Sequence, residues 1–284
     1  MKNVAIVTDS TAYLDPEVRK ELGIHMVPLS VVFGEEAFQE EIDLTTEAFY
    51  EKMKQTDKLP TTSQPAIGHF VEMFESLAKE GFQAVISIHL SSKISGTYQS
   101  AISAADMVEG IEVFGFDSEI SCAPQGYFVI EAARMAQKGA EAQEILDQLV
   151  AMKDRLRAYF MVDDLNHLHR GGRLNAAQLV VGSILKIKPV LHFEEGSIVP
   201  FEKVRTEKKA LARIKGLFAE DASSGEAIQA TVIHANRLDA AEELAEELRT
   251  QYPNASVGIS HFGPVIGTHL GAGSLGLSWM KTKN

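Results

Sequence analysis

The chain has 284 residues, 45% hydrophobic and 23% charged, enough for one large domain or two ordinary ones with a sizeable core. Its formal net charge of −12 speaks against nucleic acid, which needs a basic footprint, and against retention on an anionic lipid surface by charge. The one cysteine, Cys122, excludes an intrachain disulfide framework, suits a reducing cytoplasm and reads as a small core residue.

The N-terminal MKNVAIVTDS has too short an apolar run for a signal peptide, and no run approaches the roughly 18 apolar residues of a membrane span. VAIVTD (4–9) reads as a buried strand and LDPEVRKELG as a helix closed by Gly23. HMVPLSVVF (25–33) reads as a second strand. A helix with Thr45 or Thr46 at its N-cap follows. The next helix has Pro65 at its first position and Gly81 at its C-cap. AVISIHL, a helix after SGT, the strand IEVFGFD, two helices over 122–157 and the strand AYFMVDD complete the series. Strands separated by helices of this length imply βαβ units and a mostly parallel sheet with both faces covered.

Beyond AYFMVDD the pattern changes. Residues 165–187 read as helical, broken at Gly171 and Gly172. KPVLHFEEGSIVPFEKV is a hairpin signature with EEGS as the turn. A helix over 207–219, the strand AIQATVIHA, the amphipathic LDAAEELAEELRTQY and the strand ASVGISHF follow. The expected fold is therefore α/β with two domains. Residues 1–158 form a mostly parallel sheet with helices on both faces, and residues 159–284 form an α+β domain with a mixed or antiparallel sheet.

Several apolar strands of the first half end in small polar residues: Thr8 to Thr11, Thr61 to Ser63, Ser91 to Thr97, and Asp117 to Ser121. In an open α/β sheet the C-terminal strand ends converge on the edge where ligands bind. Ser95 and Gly96 sit where the free N–H groups of a helix start would face an anion. Plain helix capping explains any one of these clusters, whereas several at one edge point to a ligand site.

The glycine-rich HFGPVIGTHLGAGSLG reads either as turns that expose His269 or as tight domain packing. HRGGRLN offers Arg170 and Arg173 to a phosphate or an acidic partner, or simply caps a helix. The spacing of His167 and His169 with Asp163 and Asp164 is not that of a metal site. A phosphate-binding P-loop is absent, as is a dinucleotide fingerprint in βαβ context, and with no GxSxG elbow a serine hydrolase built on Ser95 and His269 is the weaker alternative.

VTDSTAYL, TTSQPAIG, SIHLSSKISGTYQSA, HRGGRLN, KIKPVL and GPVIGTHLGAGSLG together, in this order, resemble the DegV family over essentially the whole chain. His169 and Arg170 stand where lysines are common in that family, and Ala272 where proline is frequent. The resemblance implies a cytoplasmic carrier, not itself an enzyme, with no cofactor and no metal. It implies one long-chain fatty acid in an apolar tunnel, its carboxylate held at the domain interface. The fatty acid would be presented to a separate ATP-dependent fatty acid kinase that makes an acyl phosphate for phospholipid synthesis. Carried over by motif, the carboxylate contacts are Thr62, Ser95, Gly96, Arg205, Thr268 and His269, and Arg173 is the kinase-docking arginine. The alternative to a carrier is an acyl hydrolase or transferase with Ser95 as nucleophile and His269 as base.

Overall fold

A computed structural model describes residues 3–56, 58–174 and 187–282. The first elements are β1 (Val4–Asp9), α1 (Pro16–Leu22), β2 (Ile24–Val27), β3 (Ser30–Phe33), β4 (Glu36–Gln39), α2 (Thr46–Lys54), β5 (Thr61–Ser63) and α3 (Ile67–Lys79). Next come β6 (Ala84–His89), α4 (Thr97–Ala105), β7 (Glu112–Asp117), α5 (Ala123–Gln137) and α6 (Ala142–Lys153). The remainder is β8 (Leu156–Met161), α7 (Leu165–Arg170), β9 (Val190–Glu194), β10 (Ser197–Glu202), α8 (Glu207–Ala222), β11 (Ile228–His234), α9 (Leu238–Gln251), β12 (Ala255–His261), α10 (Pro264–Leu270) and β13 (Leu275–Lys281). Two compact units result, one of Met1–Thr45 with Pro60–Asp154, the other of Thr46–Leu59 with Arg155–Asn284. Among the described residues, no helix is long and apolar enough to cross a membrane.

The first unit is built on a four-stranded, all-parallel sheet of order β2-β1-β6-β7. Strand residues alternate between its faces. Ala5, Val7 and Val85 meet Phe70, Phe74 and Leu77 of α3 and Ala101 and Ala104 of α4. The spacing of 70, 74 and 77 puts these three side chains on one stripe of α3, and burying each is worth roughly 1.5–3 kcal/mol. Helix α5 packs on β1 and β6 and helix α6 on β6, and Phe128, Val129, Ile145 and Leu149 of these helices are buried. The parallel sheet with helices on both faces is thus present as the sequence implies.

One expected strand is two. Residues 25–33 divide at Pro28, which has no N–H to give a ladder. β2 runs parallel to β1, while β3 leaves for a separate antiparallel sheet of order β4-β3-β5. Pro65 does not open α3 either, since the helix starts at Ile67 with Ala66 as its N-cap.

The second unit carries a six-stranded mixed sheet of order β10-β9-β8-β13-β11-β12, with only β11 and β12 parallel. Glu195 and Gly196 both have positive φ in the β9–β10 hairpin, as a two-residue primed turn requires. The C-terminal strand β13, which the sequence pattern does not separate from the glycine-rich segment, lies between β8 and β11. Its Trp279 is 1% exposed and donates its indole N–H to Asp221 at 2.8 Å. Helix α2 comes from within the stretch of chain that builds the first unit, yet it packs in the second, where Tyr50 donates its hydroxyl to the Phe262 carbonyl at 2.7 Å. Of the helix expected over 165–187, α7 forms and ends at Gly171, while 175–186 lie outside the described residues.

The polar interior of the first unit centres on Asp9 at the end of β1. Its carboxylate accepts N–H bonds from Thr11 and Leu90, both at 3.0 Å, and the Thr11 hydroxyl at 2.6 Å. The His89 ring meets it through Nδ1 at 2.9 Å, and Nε2 lies 2.6 Å from the Ser87 hydroxyl. Burial alone would raise the Asp9 carboxyl, but His89, Thr11 and Leu90 more than offset it and hold the group below its ordinary value of 3.8. Asp9→Asn is expected to cost about 2–4 kcal/mol in urea unfolding, because it leaves the donors facing an amide. Since the folded carboxyl is the stronger acid, its contribution is present above 3.8 and lost only as pH falls through the lower folded value. The gap between wild type and variant should therefore still be present at pH 5, and its disappearance by that pH would rule out this account.

Candidate functional site

In the first unit, β6 delivers the chain to a turn and then to α4. The turn is fixed from below. Leu90 N–H is taken by Asp9, Ser91 N–H by the Ile120 carbonyl at 2.8 Å, and Ser92 N–H by both oxygens of Asp117 at 3.2 and 3.3 Å. Ser95 N–H then closes back on the Ser91 carbonyl at 3.1 Å. This folding sets the Ser95 hydroxyl over the helix start, 2.9 Å from the Thr97 hydroxyl and accepting Thr97 N–H at 3.3 Å. Gly96 is the N-cap and makes no side-chain cap bond. The first-turn N–H groups of α4 have no intrahelical acceptors, so this end carries partial positive charge and loose donors suited to an anion. Thr62 lies on β5, paired with Val31 of β3. Gln64, one residue beyond β5, reaches α4 and donates to the Ser100 hydroxyl at 2.9 Å.

In the second unit, His269 and Thr268 lie on α10, a short helix, and of the two readings the glycines left open, exposed turns or tight packing, the burial of this helix matches packing. His269 is 9% exposed. Two glycines make room for the packing of α10 on α7. A Cβ on Gly171 would stand 2.3 Å from His269 Nδ1, and one on Gly271 would stand 2.9 Å from His167 Cδ2. The segments 167–172 and 268–271 are therefore two halves of one joint, with the His167 ring set against Gly271 and the His269 ring against Gly171. Buried His167 Nδ1 has no hydrogen-bond partner among the described residues.

Burial, with the charges of Arg173 and His167 added, pushes His269 down to about 3. The imidazole is neutral at ordinary pH, with one donor and one acceptor. Arg173 is half-buried and donates to the Gly171 carbonyl at 2.5 Å. Arg205 lies exposed in the bend between β10 and α8. The Thr268 hydroxyl donates to the Pro264 carbonyl at 2.8 Å, so its single proton is directed to the helix backbone.

Ser87, His89 and Asp9 show the order of hydrogen bonds used in serine hydrolases. All three are at most 1% exposed, Ser87 sits within strand β6, and the Phe70 ring lies edge-on to His89 at 5.2 Å. A nucleophile needs access to its substrate, so this network serves the fold. Cys122 is likewise interior, and burial pushes its thiol up to about 12, leaving no thiolate to react.

Of the residues expected at a site, the structure brings Ser95 and Gly96 to one helix start, and Thr268 and His269 to one short helix with Arg173 near the imidazole. In the sequence, Gln64 draws no attention although it lies in the TTSQPAIG motif, and His167 suggests only a metal site that its spacing rejects. The glycines at 96 and 271 are further traces of the two side chains.

Over residues 3–282 the chain matches the model of the DegV family, described as uncharacterised proteins. It is 70% identical over 279 residues to a DegV domain-containing protein of Halalkalibacterium halodurans, covering 98% of this chain and 99% of that one. Its structure is similar to that of DegV, a fatty acid binding protein from Bacillus subtilis, with a TM-score of 0.94, 54% identity and 99% of both chains covered. A fatty acid binding DegV family protein from Streptococcus agalactiae matches with a TM-score of 0.90 at 31% identity, again over 99% of both chains. Sequence motifs, family match and fold agree from end to end, and the chain belongs to the DegV family.

Proposed function

We propose that this protein is a carrier that binds one long-chain fatty acid and presents its carboxylate to a separate ATP-dependent fatty acid kinase in the cytoplasm. The observation that carries the reading is its end-to-end likeness, at 54% identity, to a protein described as fatty acid binding. In this reading the carboxylate is received by Thr62, Ser95 and Gly96 together with Arg205 and His269, and Thr268 joins them by turning its hydroxyl away from the Pro264 carbonyl. A carboxylate out of water must be paired and hydrogen-bonded, and the start of α4 and the neutral His269 imidazole supply donors of the right kind. Roughly fifteen methylenes at about 0.8 kcal/mol each outweigh a few head-group bonds at about 1 kcal/mol each. The tail thus supplies most of the affinity, and the head group sets depth and orientation.

The acyl hydrolase alternative needs His269 as general base. An imidazole pushed down to about 3 is a poor proton acceptor near neutral pH, which favours the carrier reading.

Protein purified from cells should release a long-chain fatty acid on denaturation, detected by mass spectrometry. Protein that arrives empty and also refuses added palmitate would end the proposal. Palmitate-loaded protein with ATP alone should form no acyl phosphate, and adding the kinase should produce it. Arg173→Ala should lower that output by more than it lowers palmitate affinity, and losses of equal size would remove the docking role.

His269 supplies a pH test on lipid-stripped protein. Its folded value, about 3, lies below its ordinary 6.5, so the unfolded chain binds the extra proton between these limits and stability falls as pH drops through them. Between pH 7 and 4.5 this one residue should remove about 2 kcal/mol, a loss absent from His269→Gln. Parallel pH curves for the two proteins would contradict it.

A further inference from the structure

We propose that Gln64 is a positioning residue of the head-group site. Its amide lies across the first turn of α4 and so sets the Thr62 strand against the Ser95 turn. The inference rests on the fatty-acid reading above and adds a residue to it.

Thr62 and Ser95 come from different sheets of the first unit. Thr62 is on β5, a three-residue strand at the edge of the small antiparallel sheet. Ser95 follows β6, an interior strand of the parallel sheet. Two hydroxyls meant for one carboxylate need a fixed spacing, and a three-residue edge strand supplies little rigidity of its own. Gln64 makes the connection. Its Nε2 donates to the hydroxyl of Ser100, a residue 4% exposed, and Ser100 N–H bonds the Gly96 carbonyl at 2.9 Å.

The glycine at 96 records this contact. Its backbone, φ −81 and ψ 5, is open to any residue, so conformation does not call for glycine there. Space does. A Cβ would stand 2.1 Å from Gln64 Oε1, 2.8 Å from Cδ and 2.9 Å from Nε2. The three nearest atoms all belong to the glutamine amide. Because that amide ends a flexible chain, alanine at 96 displaces it and leaves α4 in place. Gln64→Ala and Gly96→Ala thus break one contact from its two sides; Gly96→Ala keeps the backbone N–H that residue 96 offers the carboxylate, and neither substitution touches the Ser95 or Thr62 hydroxyl.

The experiment compares palmitate with hexadecanol, which shares the tail and lacks the carboxylate. Each variant should bind palmitate about tenfold more weakly and hexadecanol nearly as well as wild type, because only head-group bonds are disturbed. The double variant should lose no more than the weaker-binding single variant, since both remove one contact. Equal losses for the two ligands would reduce Gln64 to a structural role, and additive losses would show two unrelated effects. Either result, or unchanged palmitate binding in both variants, overturns the inference. Wild type that binds neither ligand would instead bring down the fatty-acid reading itself.

Discussion

The first unit depends on one buried anion. Asp9 ends β1, and four donors from three residues in two stretches of the chain converge on it: Thr11 twice, His89 and Leu90. A carboxylate removed from water at this depth is tolerable only when its lone pairs are filled. The need for donors therefore fixes the geometry. β1 and β6 must lie side by side in register, as they do from Val4 opposite Ala84 to Thr8 opposite Ile88. The chain leaving β6 must also turn so that Leu90 N–H points back at β1. The Ser91–Gly96 turn, next along the chain, inherits that direction. Asp117, at the end of β7, repeats the device one strand further along by taking Ser92 N–H. Two carboxylates below the turn consume donors there, and the hydroxyl of Ser95 and the start of α4 are left on the other side.

Much of this was legible in the sequence, because alternation and punctuation are local signals. The parallel strands, the helices between them and the hairpin at Glu195–Gly196 follow from apolar runs and turn residues that compete with nothing nearby. Features decided by distant partners escaped. Pro28 separates two strands that join different sheets, yet in the sequence it reads as one residue in a single apolar run. β5 exists because Val31 offers it a ladder, and three residues of Thr61–Ser63 carry no strand signal of their own. β13 alternates weakly and is held by neighbours on both sides, β8 and β11, from elsewhere in the chain.

The site shows the same division. The hydroxyls around Ser95 are visible in the sequence as a cluster where a strand hands over to a helix. For His269 the sequence leaves exposure and tight packing open, because glycines can loosen a chain or let it pack closely. Here they do the second, since Gly171 and Gly271 let α7 and α10 approach until each ring rests on the opposite glycine. A glycine's meaning depends on what fills the space it leaves, and that filling comes from far along the chain. Gly96 obeys the same rule, with a glutamine amide in place of an imidazole.

In the second unit, completion waits on one strand. β13 lies between β8 and β11, so the six-stranded sheet is split in two until Leu275–Lys281 are placed. Helix α2 adds a second long-range requirement, since its Tyr50 bonds the carbonyl of Phe262, more than two hundred residues away. Pairings of this separation form late and slowly, because loop closure is paid before the contacts repay it. The helix that carries Thr268 and His269 is enclosed by these same late elements, with Phe262 before it and β13 after it. The surroundings of His269 are therefore finished only when this unit is complete, whereas the Ser95 turn is built from contacts within the first.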